Sequence, residues 1–428
     1  MTQSDRPSLR RAVSALESPD FRLLFLAGFV AAIGGTLQQT ANLWQIYEIT
    51  GSALLLGLTG IARAIPIIGL SLIGGVIADR VNRRWIIMSG QIANGVVALA
   101  LGALTLSGLI EAWHIYVGTM ITTAFGALSA PARQAIVPNL VPRHQLVNAV
   151  ALNFSVFGMA RIIAPAIAGI AIATIGLSIT YAATGVAFVV TFFLLGRINL
   201  GATPAKPRES AFRAMIDGLR FIRHRRTIIL VLLGTDAAAM LFGSYQVLMP
   251  ILAERLDAGP TGYGLLWSAD AVGAVLGAAL IASLGDFPYK GFVCVASILA
   301  YCVALAGMAL APWLPLAMIA CLALGVTDSM QATSRNGVIQ LLTPDEYRGR
   351  VSSFQQMSTI GVPSIGQGLL GVAAGVVGAP IALVSGAIAC ALINIGILAA
   401  RKDLRAKDIA TLATLDEDQP ELEPMAAR

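Results

Sequence analysis

The amino-acid sequence predicts an all-α membrane protein of twelve transmembrane helices arranged as two six-helix pseudo-repeats, and three observations carry that prediction. Of its 428 residues 57% are hydrophobic and only 12% are charged, where soluble domains carry roughly 25% charge. Such a chain cannot clothe a folded surface in charge, so most of that surface must face lipid. Apolar runs long enough to cross a hydrocarbon core of about 30 Å recur along its length. One joint between runs also matches another at a constant offset. A transmembrane β-barrel would instead show segments of roughly ten residues alternating in polarity, and none is present.

Taken in order, the run 21–49 follows Arg6, Arg10 and Arg11 and takes in Arg22. It passes straight into further runs without a small-residue cleavage site, so it reads as a retained span and not as a signal peptide. Runs 53–78 and 85–107 flank a charged joint at 79–84. Run 112–131 opens beside Trp113, and 146–175 and 177–195 complete the first six. After a polar stretch come 228–252, 263–284, 292–310, 314–341, 352–377 and 381–400. Trp113 and Trp313 stand at corresponding edges of the fourth and tenth spans, where amphipathic rings favour the membrane interface.

The stretch from Arg133 through Val141-Pro142-Arg143-His144 to Asn153 lines up with Arg335 through Thr343-Pro344-Asp345-Glu346 to Gln355. Each reads as Arg at a helix end, an apolar stretch, Pro, then a new span. Parallel repeats of this kind are a transporter architecture that holds its substrate near the midplane between the halves. The expected organisation is a cytoplasmic N-terminal segment (1–19), a six-helix bundle (20–197), a linker (198–226), a second bundle (227–400) and an acidic tail (401–428).

Orientation follows from the basic residues. With the N-terminus inside, 26 of the 29 Lys and Arg fall in the terminal segments and inner joints, Arg255 falls outside, and Arg63 and Arg161 fall within spans. The positive-inside rule therefore puts both termini in the cytoplasm. The net charge of +6 describes topology and calls for no nucleic-acid partner. In the linker, Phe212, Met215, Ile216, Leu219 and Ile222 recur at helical spacing opposite Arg213, Asp217, Arg220 and Arg223. That stripe suits a helix lying on the anionic inner leaflet, with a partner-binding helix as the alternative. The tail carries Asp416, Glu417, Asp418, Glu421 and Glu423 with two prolines and too little apolar content to fold, so disorder is expected there. Cys294, Cys302, Cys321 and Cys390 lie in apolar runs without metal-ligand spacing and read as packing residues. No metal or cofactor is expected.

The most specific motif is Gly75-Val-Ile-Ala-Asp79-Arg80-Val-Asn-Arg83-Arg84, between the second and third spans. It resembles the signature loop G-x-x-x-D-R-x-x-R-R of the major facilitator superfamily. Asp20-Phe21-Arg22, Trp44-Gln45-Ile46-Tyr47-Glu48, Ala130-Pro131-Ala132-Arg133-Gln134 and Thr343-Pro344 with Arg348-Gly349-Arg350 are similar to its enterobactin-exporter and drug-efflux branch, the transmembrane secretion effectors. The similarity runs from about Pro19 to Ala400. It implies the major facilitator fold, a monomer in a bacterial inner membrane, and a cytoplasmic gate made of Gly75, Asp79, Arg80, Arg83, Arg84 and Arg350. In the second half the matching joint, Gly285-Asp286-Phe-Pro-Tyr-Lys290, keeps only an acid and a base. In the fifth span, Ala160-x-x-x-Ala164-Pro165-x-x-Ala168-Gly169 resembles the family's antiporter pattern G-x-x-x-G-P-x-x-G-G with alanine at three glycine positions. Small residues there let helices approach closely, and a generic small-residue interface is the alternative.

Charges within a membrane are costly and usually face a cavity or a partner. Arg161 and Asp270 both fall in the outer half of the fifth and eighth spans, which pack across the two halves in the superfamily fold. They are the candidates for an extracellular-side gate. Asp236 and Asp328 belong to the seventh and tenth spans, which line the cavity in that fold. An acid in low dielectric is suited to exchanging protons, so these two are candidates for proton coupling or for meeting a cationic substrate group. A structural pairing with Arg335 is the alternative, since Asp328 and Arg335 stand two turns apart on one face. Arg63 has no obvious acid on the eleventh span, where Gln367 is a candidate neighbour. Gln38, Asn42 and Gln45 on the first span, with Tyr245, Gln246, Gln331 and Gln355, are candidates to line a substrate cavity, each also readable as interhelical glue.

The expected function is secondary transport by alternating access: proton-coupled export of a small amphipathic molecule, a siderophore or drug-like compound. Import, or sensing without flux, fits the same fold. An intramembrane aspartyl protease would need G-x-G-D, and the nearest match, Ser283-Leu-Gly285-Asp286, lacks the first glycine. No other enzyme motif is present.

Overall fold

The computed structural model describes residues 14–80, 83–198, 227–285 and 287–407, with the side chains of 71–80 and 83 among those not described. The linker helix expected within 198–226 and the acidic residues beyond 407 therefore lie outside the described residues. Among the described residues the structure is helical throughout, with no strand. The long segments are α1 (Pro19–Thr50), α2 (Ala53–Arg80), α3 (Arg83–Leu106), α4 (Ala112–Leu140), then α5 and α6 as the two arms of Leu146–Gly196. A second set follows: α7 (Thr227–Phe242 continued by Met249–Arg255), α8 (Gly259–Leu284), α9 (Lys290–Leu310), α10 (Leu314–Leu342), α11 (Asp345–Val377) and α12 (Ala379–Ala400). Nine described stretches are long and apolar enough to cross a membrane, the 54-residue Arg143–Gly196 among them. That stretch folds back at Gly176, whose φ of 80° opens the chain where a Cβ would be strained.

Three elements depart from the sequence expectation. The fourth helix runs on past Pro131 to Leu140, because Ala132, Ile136, Val137 and Leu140 continue a buried stripe at helical spacing. The eleventh begins at Asp345, seven residues earlier than its apolar run, directly behind Pro344. The seventh is broken: it stops at Phe242, passes Gly243 and Ser244, and resumes as a 3-10 turn, Tyr245–Leu248, before Met249–Arg255. Its apolar composition is continuous, so hydropathy alone read one helix. Tyr301 of α9 donates to the freed Gly243 carbonyl at 2.6 Å, satisfying the backbone that the break exposes.

Residues 401–407 also belong to the folded body and not to the tail with which the sequence grouped them. Leu404 is fully buried beside Ile228, Ile229, Leu232 and Cys294, and the Tyr289 amide donates to the Lys407 carbonyl at 3.1 Å.

α1–α6 pack chiefly on one another, as do α7–α12, and the halves meet along two seams, α2 with α11 and α5 with α8. Packing differs at the two ends of the bundle. At the end carrying the turns at Gly51, Gly176 and Gly378, one hydrophobic cluster runs through both halves, from Trp44 and Leu56 to Tyr263, Leu305 and Leu383. At the end nearer residues 14 and 407 the clusters are separate, one drawn from 15–198 and one from 228–404. The molecule is thus closed at the first end. Trp44 stacked on Tyr263, ring centroids 5.8 Å apart, ties α1 to α8 there.

Candidate functional site

Both seams depend on small residues. On α2 and α11 a Cβ at Gly57 would meet the Gly371 Cα at 2.7 Å. On α5 and α8, Gly169 lies against the Pro260 carbonyl and Gly264 against that of Pro165, with no room for a side chain at either. The other face of the same α5 stretch, Ala164 and Ala168, is fully buried against Leu37 of α1. The Ala160–Gly169 pattern is thus a two-sided packing surface joining α5 to its own half and to the other.

Within the first half, and reaching the α7 break and α11 of the second, lies a cavity of about 200 Å³ lined by Gln38, Gln39, Asn42, Thr59, Arg63, Asn94, Thr119, Thr122, Thr123, Phe188, Gln246 and Gln367 among others. The broken α7 delivers Gln246 to it, because the backbone leaves its helical path at Gly243. Of the polar candidates named from sequence, Gln38, Asn42 and Gln246 line this space. Asn42 is held from two sides: its Nδ2 donates to Thr119 Oγ1 at 3.3 Å and its Oδ1 accepts from the Tyr181 hydroxyl at 2.9 Å. Gln45, Tyr245, Gln331 and Gln355 do not belong to the lining. Gln45 donates to Thr105 of α3 at 2.7 Å, an interhelical tie, and Gln355 donates to Asn336 of α10. The threonines of α4 escaped the sequence reading. Thr119, Thr122 and Thr123 share one helical face at i, i+3 and i+4 spacing, which was the available signal.

A cluster of charged side chains, Asp236, Asp270 and Arg335 among them buried, occupies the second half and its seam with α5. The Arg161 guanidinium donates to Asp270 Oδ2 at 3.0 Å, and Tyr245 donates to Asp270 Oδ1 at 2.7 Å, so one carboxylate links α5, α8 and the break in α7. Arg335 of α10 is paired with Asp236 of α7, both about 3–4% exposed in their side chains, and Gln331 donates to Asp236 at 3.0 Å. The structure therefore gives Arg335 to Asp236, not to Asp328. Asp328 lies within electrostatic reach of both pairs, its charged neighbours being Asp270, Asp236, Arg161 and Arg335. Three carboxylates face two guanidiniums, and Asp328 is the one in neither ion pair.

The signature-loop residues fare differently. The side chains of Gly75, Asp79, Arg80 and Arg83 lie outside the described residues. Arg84 donates to the Gly196 carbonyl at the end of α6 at 2.6 Å, within its own half. Arg350 sits over the Tyr347 ring, 5.6 Å from its centroid.

Solved structures that share the architecture include a nucleoside transporter, NupG (TM-score 0.71, 12% identity, 89% of this chain and 99% of that one). A bacterial homologue of the lysosomal transporter Spinster in an inward-facing, occupied conformation matches with TM-score 0.65 at 14% identity, over 94% of this chain and 97% of that one. Among curated proteins, the enterobactin exporter EntS of Shigella boydii serotype 4 (strain Sb227) is 29% identical over 361 residues, 82% of this chain and 85% of its own. The protein of that name from Escherichia coli O81 (strain ED1a) matches at the same identity and coverage. The family model described as transmembrane secretion effector matches residues 11–426. These relatives are membrane transporters and not enzymes, which removes the protease alternative. With nearly the whole chain matched by that model, this chain belongs to the transmembrane secretion effectors of the major facilitator superfamily.

Proposed function

We propose that this transporter exports a small amphipathic molecule, siderophore or drug-like, by alternating access coupled to protons. The observation that carries the reading is Asp328, the carboxylate that belongs to neither ion pair and has the charges of both as its electrostatic neighbours. A proton arriving there changes the net charge of the whole cluster, and with it the strength of the Arg161–Asp270 tie across the α5–α8 seam. Protonation is thereby linked to whether the closed end stays closed. The cavity supplies the substrate space, since it draws Gln246, Val247 and Gln367 from the second half and the remainder from the first. Export, rather than import, is supported by the enterobactin exporters to which the chain is similar.

In this reading the protein sits in a bacterial inner membrane with both termini in the cytoplasm, as the distribution of Lys and Arg favours. The closed end then faces outward, and the separate clusters face the cytoplasm. Asp79, Arg80, Arg83, Arg84 and Arg350 would latch the cytoplasmic side in the opposite state. The two bundles, 20–197 and 227–400, would move as units about the seams. The test is flux in proteoliposomes under an imposed pH gradient with a panel of siderophores and lipophilic drugs. Gradient-dependent movement of at least one compound is expected, and its absence across a broad panel would overturn the reading.

A further inference from the structure

Arg63 of α2 lines the cavity, and every other residue named in its lining is uncharged. Among the described residues it has neither an ion-pair nor a hydrogen-bond partner, unlike Arg161 and Arg335, each of which holds an aspartate. A guanidinium offers five N–H donors in a planar fork and stays charged at any physiological pH. Leaving one unpaired within a membrane bundle is costly unless something else brings the opposite charge.

The surroundings point the same way. Gln38, 4% exposed and lining the same space, has its Nε2 donor unpartnered. Phe188 supplies an aromatic side chain to the lining, and Gln246 and Gln367 bring amides from the other half. No carboxylate is among the residues named in this lining, and the three aspartates of the charge cluster are absent from it. The site offers a fixed cation, an unsatisfied buried donor and an aromatic side chain. We infer that it binds a planar organic oxyanion, of carboxylate or phenolate type, carried on an aromatic or amphipathic body, with Arg63 and Gln38 as the donors. Arg63 lies one turn beyond Gly60, which packs on the Ser364 carbonyl, the Gln367 Cβ and the Gly368 amide of α11. An anion seated there touches both halves at the α2–α11 seam. The inference rests on the transporter reading for its consequence, since a substrate that bridges the seam can influence its opening, but the binding itself requires no flux.

The experiment uses purified full-length protein in detergent without a gradient, and measures binding of 2-naphthoate and its neutral isostere 2-naphthamide by fluorescence titration. A charge-assisted bidentate contact predicts that naphthoate binds at least about tenfold more tightly than naphthamide. The preference should vanish in Arg63→Gln and persist in reduced form in Arg63→Lys, which keeps charge but loses the fork. Retention of monodispersity and melting temperature in both variants shows that the comparison is between folded proteins. Equal affinities in the parent protein, no naphthoate binding up to its solubility, or an undiminished preference in Arg63→Gln would each overturn the assignment. Failure of the export assay together with a preserved naphthoate preference would refute the flux reading alone.

Discussion

Arg161 and Asp270, 109 positions apart, meet at 3.0 Å across the α5–α8 seam. The Arg161 side chain is half exposed and that of Asp270 is 8% exposed. The pair is therefore lopsided. Loss of Arg161 strands a buried acid with only the Tyr245 hydroxyl, whereas loss of Asp270 leaves a cation that is only half buried. Arg161→Ala should consequently lower stability by about 1–3 kcal/mol, and more than Asp270→Ala. For transport, Arg161→Asp and Asp270→Arg should each abolish flux, and the double exchange should recover a measurable part of it. Lack of recovery in a well-folded double variant would show that the pair is not the tie that closes this end.

Asp236 and Asp328 carry equal weight in the sequence but different weight in the structure. Asp236→Asn would leave Arg335 buried without its counter-charge, at a cost of about 3–5 kcal/mol, visible as a lowered melting temperature in detergent. Asp328→Asn removes the acid that belongs to neither ion pair, so the melting temperature should hold or rise. In liposomes the Asp328 variant should still bind substrate and exchange it down its gradient, while losing the response to an imposed pH difference. Normal pH-driven flux in Asp328→Asn would take that residue out of the coupling step.

How far the sequence could have led is clearest at α7. Its run is apolar enough to read as one span despite Asp236 and Gln246, and the local cue to the break is Gly243-Ser244, an ordinary pair in a membrane helix. What makes the break tolerable is Tyr301 on another helix, bonding the released carbonyl, and no local reading of the run contains that partner. The spans themselves were legible because lipid imposes length and apolarity on each one separately. Arg161 and Asp270 could be singled out for the same reason: a charge in an apolar run stands alone. Amides give weaker signals, since the same Gln serves as lining or as a tie. Gln38 faces the cavity and Gln45, seven residues along the same helix, bonds Thr105; only the packed neighbour separates the two.

Leu404 marks where the folded body ends. It is fully buried under the start of α9, where Gly291 approaches its backbone at 2.9 Å from the Cβ position to the Leu404 carbonyl. Leu404→Ala should cost about 2–4 kcal/mol through the cavity left among Ile228, Ile229 and Leu232, and Leu404→Asp considerably more. Thermal unfolding by intrinsic fluorescence measures both. A neutral Leu404→Asp would mean that 401–407 is not part of the packed unit.

The glycines of the α5–α8 seam supply the most direct test of alternation. Gly169 and Gly264 bring two backbones to contact, with Gly264 against the Pro165 carbonyl and a Cα–Cα approach that leaves no volume for a methyl group. Backbone atoms cannot rotate aside as a long side chain can, so Gly264→Val must push the helices apart. The seam closes one end of the bundle, and forcing it apart penalises that closed state relative to any state in which the seam is parted. The variant should therefore populate the state open at the Gly51–Gly176 end and transport at least tenfold more slowly, because the cycle needs both states. Spin labels placed at the ends of α5 and α8 nearest Gly176 and Gly259 would report the shift as a longer mean distance by pulsed electron resonance. Unchanged distances with unchanged flux would mean that the seam has slack that its geometry does not contain, and the two-seam description of the closed end would fall with it.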